Sequence, residues 1–338
     1  MKTNRKTIKM PVRYLMNAVL VALLFVGLSF LTQNVLSTYQ NKVLLTVGIN
    51  IILAVSLNVA TGYLGQLPLG HAGFMAVGAY TCALFTKYSN LPKGVAFVIG
   101  LVLAWIMAGL FGVLIGIPAL RLTGDYLAIL TLGFGEIIRI TLNNIDDVLG
   151  FKLFYGAKGL KNIPKYSNFT NVFLCVVITC FLIHAMMKSR HGRAVLAIRD
   201  NEIAARSVGI PITKYKLMAF VTSAVFAGIA GVLYALNYSS LVAKKFDYNT
   251  SILILVFVVL GGIGNLRGSV IAAAVLTVLP ELLRSMNDYR MLIYAIVLIV
   301  VMIFNQSPEM IALRKRLTAR FRKEGADKKD AKEKKGVA

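Results

Sequence analysis

Val95-Ala-Phe-Val-Ile-Gly-Leu-Val-Leu-Ala-Trp-Ile-Met-Ala-Gly-Leu-Phe-Gly-Val-Leu-Ile-Gly-Ile117 carries no charged side chain. As an α-helix it extends roughly 35 Å at about 1.5 Å per residue, enough to cross the roughly 30 Å hydrocarbon core of a bilayer. Comparable apolar runs lie on either side of it, at residues 15–32, 43–60, 67–86, 126–142, 171–187 and 217–237. Three more follow at 251–264, 268–283 and 289–305. The pattern predicts an all-α fold, a polytopic transmembrane helical bundle of about 10 spans (8–10). Residues 15–305 form its membrane domain, between a basic amino terminus (1–14) and a basic, charge-mixed tail (306–338). The tail has too few apolar residues to bury a core, so its end is expected to be disordered. The first run follows a basic stretch but precedes no small-residue cleavage site, and a second run comes soon after, so it reads as an uncleaved anchor.

Composition agrees. Of 338 residues, 57% are hydrophobic and 15% charged, with a mean hydropathy of +0.73; a soluble domain carries about 25% charge. The net charge of +23 does not point to nucleic acid, because it is gathered in short segments flanking apolar runs. Lys2, Arg5, Lys6, Lys9 and Arg13 hold one share, the 188–216 loop a second, and the tail after Arg314 a third. Cationic flanks of this kind fix orientation on the cytoplasmic side and can touch anionic headgroups. Ten spans place both termini and the 188–216 loop on that one side, so count and charge agree. The short pair at 251–283 reads either as two crossings or as a hairpin that stops partway and must be covered by protein. Cys82, Cys175 and Cys180, like His71, His184 and His191, are too scattered for a disulfide framework or a metal site. No cofactor is expected.

On the opposite face the longest loop is 143–170, with Asp146 and Asp147 beside Lys152, Lys158, Lys161 and Lys165. It reads either as a plain connection or as a docking surface for an extracytoplasmic protein. Ala108, Gly112 and Gly116 fall four apart, as do Ala227, Gly231 and Ala235, a spacing that lets helix backbones approach closely in lipid. Gly62-Tyr-Leu-Gly65-Gln66-Leu67 is echoed by Gly261-Gly-Ile-Gly264-Asn265-Leu266, each at a turn between apolar runs. Gly-broken segments of this kind can mark a transport site, although both turns here fall on the same face.

The cytoplasmic segment Ser189-Arg-His-Gly-Arg-Ala-Val-Leu-Ala-Ile-Arg-Asp-Asn-Glu202-Ile-Ala-Ala-Arg-Ser-Val-Gly-Ile-Pro211 is helix-compatible from about Arg193 to Val208, with Gly209 and Pro211 as stop signals. Val195, Ile198, Glu202, Ala205 and Gly209 share one stripe. The segment is either an ordinary juxtamembrane helix or a helix that docks into a partner's groove. Glu202-Ile-Ala-Ala205 with Gly209 resembles the EAA coupling loop of ATP-binding-cassette importer permeases, with one extra residue after the glutamate. The form is closest to that of branched-chain amino acid permeases of the LivM type. Gly62-Tyr-Leu-Gly-Gln-Leu-Pro-Leu-Gly-His71-Ala-Gly-Phe, Leu130-Thr-Leu-Gly-Phe-Gly-Glu136-Ile-Ile-Arg139 and Leu260-Gly-Gly-Ile-Gly-Asn-Leu-Arg-Gly268 resemble that family in the same order. Pro68 departs from it, standing where a small polar residue is expected. The resemblance runs from about Val43 to Phe304.

The resemblance implies a multi-pass permease of the bacterial cytoplasmic membrane that imports leucine, isoleucine or valine, with urea and short amides as related cargo. Its implied partners are a second, related permease, two ATPase subunits and an extracytoplasmic substrate-binding protein. Arg199, Asp200, Glu202, Ala204, Ala205 and Gly209 would then form the ATPase-coupling loop. The sequence holds no Gly-x4-Gly-Lys-Ser/Thr phosphate loop, so the chain is not expected to hydrolyse ATP itself. Charges inside the membrane are costly and tend to mark function. Glu136 with Arg139, and Glu281 with Arg284, sit three apart and are expected to pair along one helix face. Glu136, Arg139, Gln66 and His71 are the candidates for the translocation path, with a hydrogen-bonded packing role as the other reading of His71. Two other classes fit less well. An ion-coupled secondary transporter of a small polar solute would need membrane acids without a permanent partner, and a structural subunit of a membrane enzyme would need cofactor ligands.

Overall fold

The computed structural model describes residues 10–34, 36–89, 91–150, 153–238, 240–284 and 289–306. The expected basic amino terminus, up to residue 9, and the expected tail beyond residue 306 lie outside them. Each of the ten apolar stretches is mostly helical, although residues 67–70 and 262–264 lie outside the helices. In chain order the helices are α1 (Met10–Asn34), α2 (Thr38–Asn58), α3 (His71–Tyr88), α4 (Lys93–Ala119), α5 (Asp125–Leu149) and α6 (Phe169–Lys188). Then come α7 (Arg190–Asp200), α8 (Glu202–Ser207), α9 (Ile212–Asn237), α10 (Tyr248–Gly261), α11 (Leu266–Leu282) and α12 (Arg290–Gln306). By length and composition, four described segments can cross a membrane: Thr38–Tyr63, Lys93–Ala119, Phe169–Lys188 and Ile212–Asn237. The chain divides into two compact units, residues 1–278 and 279–338; the second holds the end of α11 and all of α12.

In the first unit the core is built around α9, which packs against α2, α3 and α4. Lipid gives no hydrophobic push between helices, so close backbone contact must hold them together. The small-residue stripes supply it. A Cβ on Gly78 would overlap the Gly228 backbone, and one on Gly231 would overlap the Met75 carbonyl. On its other side α9 meets α4, where a Cβ on Gly112 would lie 2.9 Å from Ala224 Cβ and one on Gly116 2.8 Å from Leu217 Cδ1. The Ser223 hydroxyl donates to the Ser56 carbonyl at 2.8 Å, tying α9 to α2. A second polar seam joins α2 to α11: Asn50 Nδ2 donates to Thr277 Oγ1, and Asn58 Nδ2 to Ser269 Oγ, both at 2.9 Å.

Two features depart from an all-helical reading. α2 runs on through a π-helical turn, Val59–Tyr63, and Leu160–Lys161 (β1) pairs antiparallel with Ser240–Leu241 (β2). The strand pair gives backbone partners to two connections that could not all stay helical. The 143–170 loop is built rather than bare. Asp146 Oδ1 accepts from the N–H groups of Leu153 (2.9 Å) and Phe154 (2.8 Å), and the Phe154 ring lies against Tyr80.

Gly78→Ala is expected to destabilise the protein by about 1–3 kcal/mol or more, because two backbones must separate to admit the methyl. Gly133→Ala on α5, where a Cβ meets nothing within 4 Å, is expected to be neutral or slightly stabilising. Thermal unfolding followed by labelling of the buried Cys82 and Cys175 thiols measures both variants.

Burial alone would raise the Asp146 carboxyl, but the N–H groups of Phe154, Leu153, Tyr155 and Gly156 outweigh it and hold the group below the usual carboxylate range. A carboxyl depressed in the folded state adds stability above its ordinary pKa, and that stability is lost as pH falls through the folded value. Asp146→Asn is therefore expected to speed amide exchange across residues 153–166 several-fold at neutral pH. Wild type should approach the variant only in strong acid, after correction for the intrinsic exchange rate.

Candidate functional site

The 188–216 segment begins its helices at Ser189, whose hydroxyl caps α7 by accepting from the N–H groups of His191 and Gly192 at 3.2 and 3.3 Å. Val195 and Ile198 bury the inner face of α7. The single helix expected from Arg193 to Val208 is instead two. The break is at Asn201, extended at φ −160°, whose side chain accepts from the Ala204 N–H at 3.0 Å and starts α8. Asparagine competes well for backbone donors in this way, which favours a new cap over a continued helix. The expected stop holds: Gly209 takes φ +81° and Pro211 follows.

Where the stripe points is the main correction. Ala205 is 3% exposed, so the face formed by Val195, Ile198 and Ala205 packs on the chain itself and is not offered to a partner. Glu202 turns inward as well. Its Oε2 accepts from Lys216 Nζ at 2.7 Å, and its Oε1 lies 3.6 Å from Arg206. Lys216 is buried on α9, so this ion pair locks α8 to a core helix. The outward side is mixed: Ile203 is 80% and Val208 76% exposed, with Ala204, Arg206 and Ser207 exposed between them and Gly209 exposed after them.

Arg199 carries the segment into the membrane domain. Its Nε and Nη2 donate to Asp200 Oδ1 at 3.1 and 2.9 Å, and its Nη1 donates to the Gly62 carbonyl at 3.0 Å. Gly62 lies in the π-turn that ends α2. The two echoed glycine turns meet there, since a Cβ on Gly62 would overlap the Gly264 backbone. The Gly264 N–H donates to Asn58 Oδ1 at 2.9 Å, and Asn58 is 1% exposed. Gly65, at φ +77°, runs beneath the Arg199 side chain, with its open Cβ position 2.8 Å from Arg199 Cγ.

The path candidates separate into two places. Glu136 Oε2 accepts from Arg139 Nε at 2.7 Å, the expected i,i+3 pair, and its Oε1 accepts from the Tyr248 N–H at 2.9 Å. Glu136 thereby holds the first turn of α10 against α5, in a recess lined by Leu69, Gly73, Leu132, Gly135, Asp247 and Ser251. Burial would raise the Asp247 carboxyl, but the Thr250 N–H, the Asn249 and Thr250 side chains and the Arg139 charge outweigh it and hold it low. His71, 2% exposed, shares a 2.8 Å hydrogen bond with Ser56 Oγ and joins α3 to α2. The packing reading is the one its contacts describe. Gln66 is half-buried; its N–H donates to the Ala60 carbonyl at 3.0 Å, and its Oε1 has no partner among the described residues. Among those residues no cluster of His, Cys, Asp or Glu can hold a metal ion. Sequence reasoning missed Lys216, Asn58, Ile203 and Val208. Asn58 had a signal, a lone amide inside an apolar run, and so did the two apolar side chains in a strongly basic loop.

Residues 39–302 match the family described as "Branched-chain amino acid transport system / permease component". The chain belongs to that permease family. The High-affinity branched-chain amino acid transport system permease protein LivM of Salmonella typhimurium is 39% identical over 296 residues, covering 78% of this chain and 66% of that protein. The Escherichia coli protein of the same description is 38% identical with the same coverage. This chain thus spans just under two thirds of the length of either relative. The Probable branched-chain amino acid transport permease protein LivM of Methanocaldococcus jannaschii is 28% identical over 185 residues, covering 50% of this chain and 52% of that one. PsaBC from Streptococcus pneumoniae in complex with Fab aligns with a TM-score of 0.43 at 15% identity, covering 86% of this chain and 98% of that one. Every coupling and path candidate named above lies within the segment matched to the permease family.

Lys216→Met is expected to loosen α8, at a cost on the order of 1–2 kcal/mol. That lies between the values for an exposed and a buried pair, because Glu202 keeps Arg206 and partial contact with water. Faster amide exchange over residues 202–208, with the rest of α9 unchanged, would verify the lock.

Proposed function

We propose that this permease is the membrane-spanning subunit of an ATP-binding-cassette importer that carries branched-chain amino acids (leucine, isoleucine, valine) inward, with ATP hydrolysed by separate subunits. One observation carries the reading: Ile203 on α8 and Val208 just after it are exposed on a short element that also exposes Arg206, while Glu202 and Lys216 fasten its inner side to α9. Exposed apolar side chains beside a basic one, on an element fastened to the core by an ion pair, suit a docking helix, because a partner can cover the apolar groups and meet the charge. The cargo is taken from the family and from the relatives' descriptions. The proposed assembly adds a second related permease, two ATPases and an extracytoplasmic binding protein seated on the 143–170 loop.

The proposed topology is ten crossings in a bacterial inner membrane, with both termini cytoplasmic. Two sets of contacts support it. Arg199 of the 188–216 segment reaches the turns after α2 and α10, while β1 pairs with β2 after α9. In a ten-span chain the first group falls on the cytoplasmic face and the second on the opposite one. At about 1.5 Å per residue, α10 and α11 extend only about 21 and 26 Å. Contacts with α2, α3 and α5 cover α10, as a short segment in the bilayer requires. Glu136 and Arg139 are proposed to border the path at the start of α10, with Gln66 beside the cytoplasmic turn. His71 is assigned to packing. A coupling-ion acid is not favoured, since Glu136 is held by Arg139 and a backbone N–H.

The test is a mild-detergent pull-down of the tagged chain from its own membrane, comparing wild type with Ile203→Asp/Val208→Asp and with Glu202→Lys. Phosphate-loop ATPases should come down with wild type and be lost from the double variant. Loss with Glu202→Lys alone would move the docking contact away from Ile203 and Val208. Recovery of the chain without ATPases would overturn the importer reading.

A further inference from the structure

We propose that Arg199 is the positioning residue that transmits movement of the docked cytoplasmic segment to α2, α10 and α11, through the carbonyl of Gly62. The inference rests on the importer reading and assigns one side chain to its power transmission. Two routes lead from α7 and α8 into the membrane domain. The first is the Glu202–Lys216 pair, which ends on α9 at the centre of the core. That helix is wedged between α3 and α4 by backbone contacts at Gly78, Gly228 and Gly231, so it moves only with the whole core. The second route begins at Arg199 and ends on a different kind of structure.

Gly62 sits where α2 leaves its regular ladder for a π-turn, with the Gly65 turn and extended backbone after it. Its carbonyl accepts from Arg199 Nη1 at 3.0 Å. The guanidinium is held in place by Asp200, which takes its other face through Nε and Nη2. A planar, five-donor group fixed on one edge by a carboxylate is pre-oriented to donate from the other. Behind Gly62 the linkage continues without a gap. Asn58 Oδ1 accepts from the Gly264 N–H, Asn58 Nδ2 donates to Ser269 Oγ, and Ser269 Oγ donates to the Asn265 carbonyl at 3.2 Å. Every member of this chain is at or beside a helix end or turn, where backbone dihedrals change at least cost. A push on Arg199 therefore bears on the junction of α2 with the α10–α11 turn, leaving the glycine-packed core intact.

Arg199 is only partly covered, with 38% of its side chain exposed, and it stands on the inward-packed α7, separate from the exposed Ile203 and Val208. Assembly and transmission can therefore be separated by experiment. Arg199→Gln and Arg199→Lys would be made in the full complex, purified with its ATPases and returned to liposomes loaded with ATP. The measurements are ATPase recovery, ATP hydrolysis and uptake of labelled leucine. A reporter thiol introduced by Ile263→Cys, exposed beside Gly264, is read by its labelling rate with and without vanadate-trapped nucleotide. Arg199→Gln is expected to keep its ATPases and most of their hydrolysis while uptake falls about tenfold, the scale of one lost charge-assisted bond. The nucleotide-dependent change in reporter labelling should vanish with it. Arg199→Lys, which retains a donor for the Gly62 carbonyl but loses the fork to Asp200, should restore part of both.

Unchanged uptake in Arg199→Gln would overturn the inference, and so would a labelling change that persists in that variant. Loss of the ATPases from Arg199→Gln would overturn it too, by making Arg199 a docking contact. Wild-type complex that lacks ATPases or takes up no leucine removes the importer reading itself, and the inference with it.

Discussion

α2 departs from its own hydrogen-bond ladder at Val59, in surroundings that are almost wholly buried. In an apolar interior, freed backbone groups are costly unless something else meets them. This constraint organises the end of the first unit where α2 meets the α10–α11 turn. The π-turn widens the ladder, the Leu64 and Gln66 N–H groups fold back onto the Val59 and Ala60 carbonyls, and the Gly62 carbonyl is met by Arg199. The buried Asn58 amide spends both ends on α10–α11 partners. Only glycine allows the backbones at positions 62 and 264 to approach this closely, so both turns must carry it. π-Bulges often occur where a helix serves a function, because they provide a flexible point without a full break.

A division of stiffness follows. Between α9 and α3 the contacts are glycine against backbone, at Gly78 and Gly231, with no side chain there to rearrange and absorb a shift. Around Gly62 a single close backbone approach, to Gly264, is joined by hydrogen bonds between turns, which can lengthen or exchange. Close-packed cores transmit strain as units, while hinges are drawn from a few residues at element ends. The two attachments of the 188–216 segment therefore differ in kind. The Glu202–Lys216 pair fastens it to the rigid part, and Arg199 engages the part that can turn.

The ten helical stretches were legible because a bilayer demands long apolar runs, and those runs are visible residue by residue. The stripes at Ala108–Gly112–Gly116 and around Gly231 were legible for the same reason: four-residue spacing of small side chains has few other uses in lipid. The Glu136–Arg139 pair followed from i,i+3 geometry alone. The meeting of Gly62 with Gly264 was not legible, because similarity between two turns says nothing about their distance in space. The break at Asn201 was hidden too, since helical periodicity continues across it and only the capping bond to Ala204 reveals the new start.

The stripe through Val195, Ile198, Glu202 and Ala205 shows a different limit. Periodicity identifies which residues share a face but not which neighbour covers that face. Read alone, a mixed apolar and acidic stripe suited a partner's groove. Lys216 decides otherwise. A buried lysine must have a counter-charge, because an unpaired ammonium would be expensive in the core, and Glu202 is the acid its ammonium meets at 2.7 Å. Once Glu202 is drawn inward, the helical turn carries Ala205 with it and leaves Ile203 in the open, with Val208 exposed just past the helix end. The direction of the exposed face is thus set by an electrostatic need on another helix, fourteen residues along the chain from Glu202.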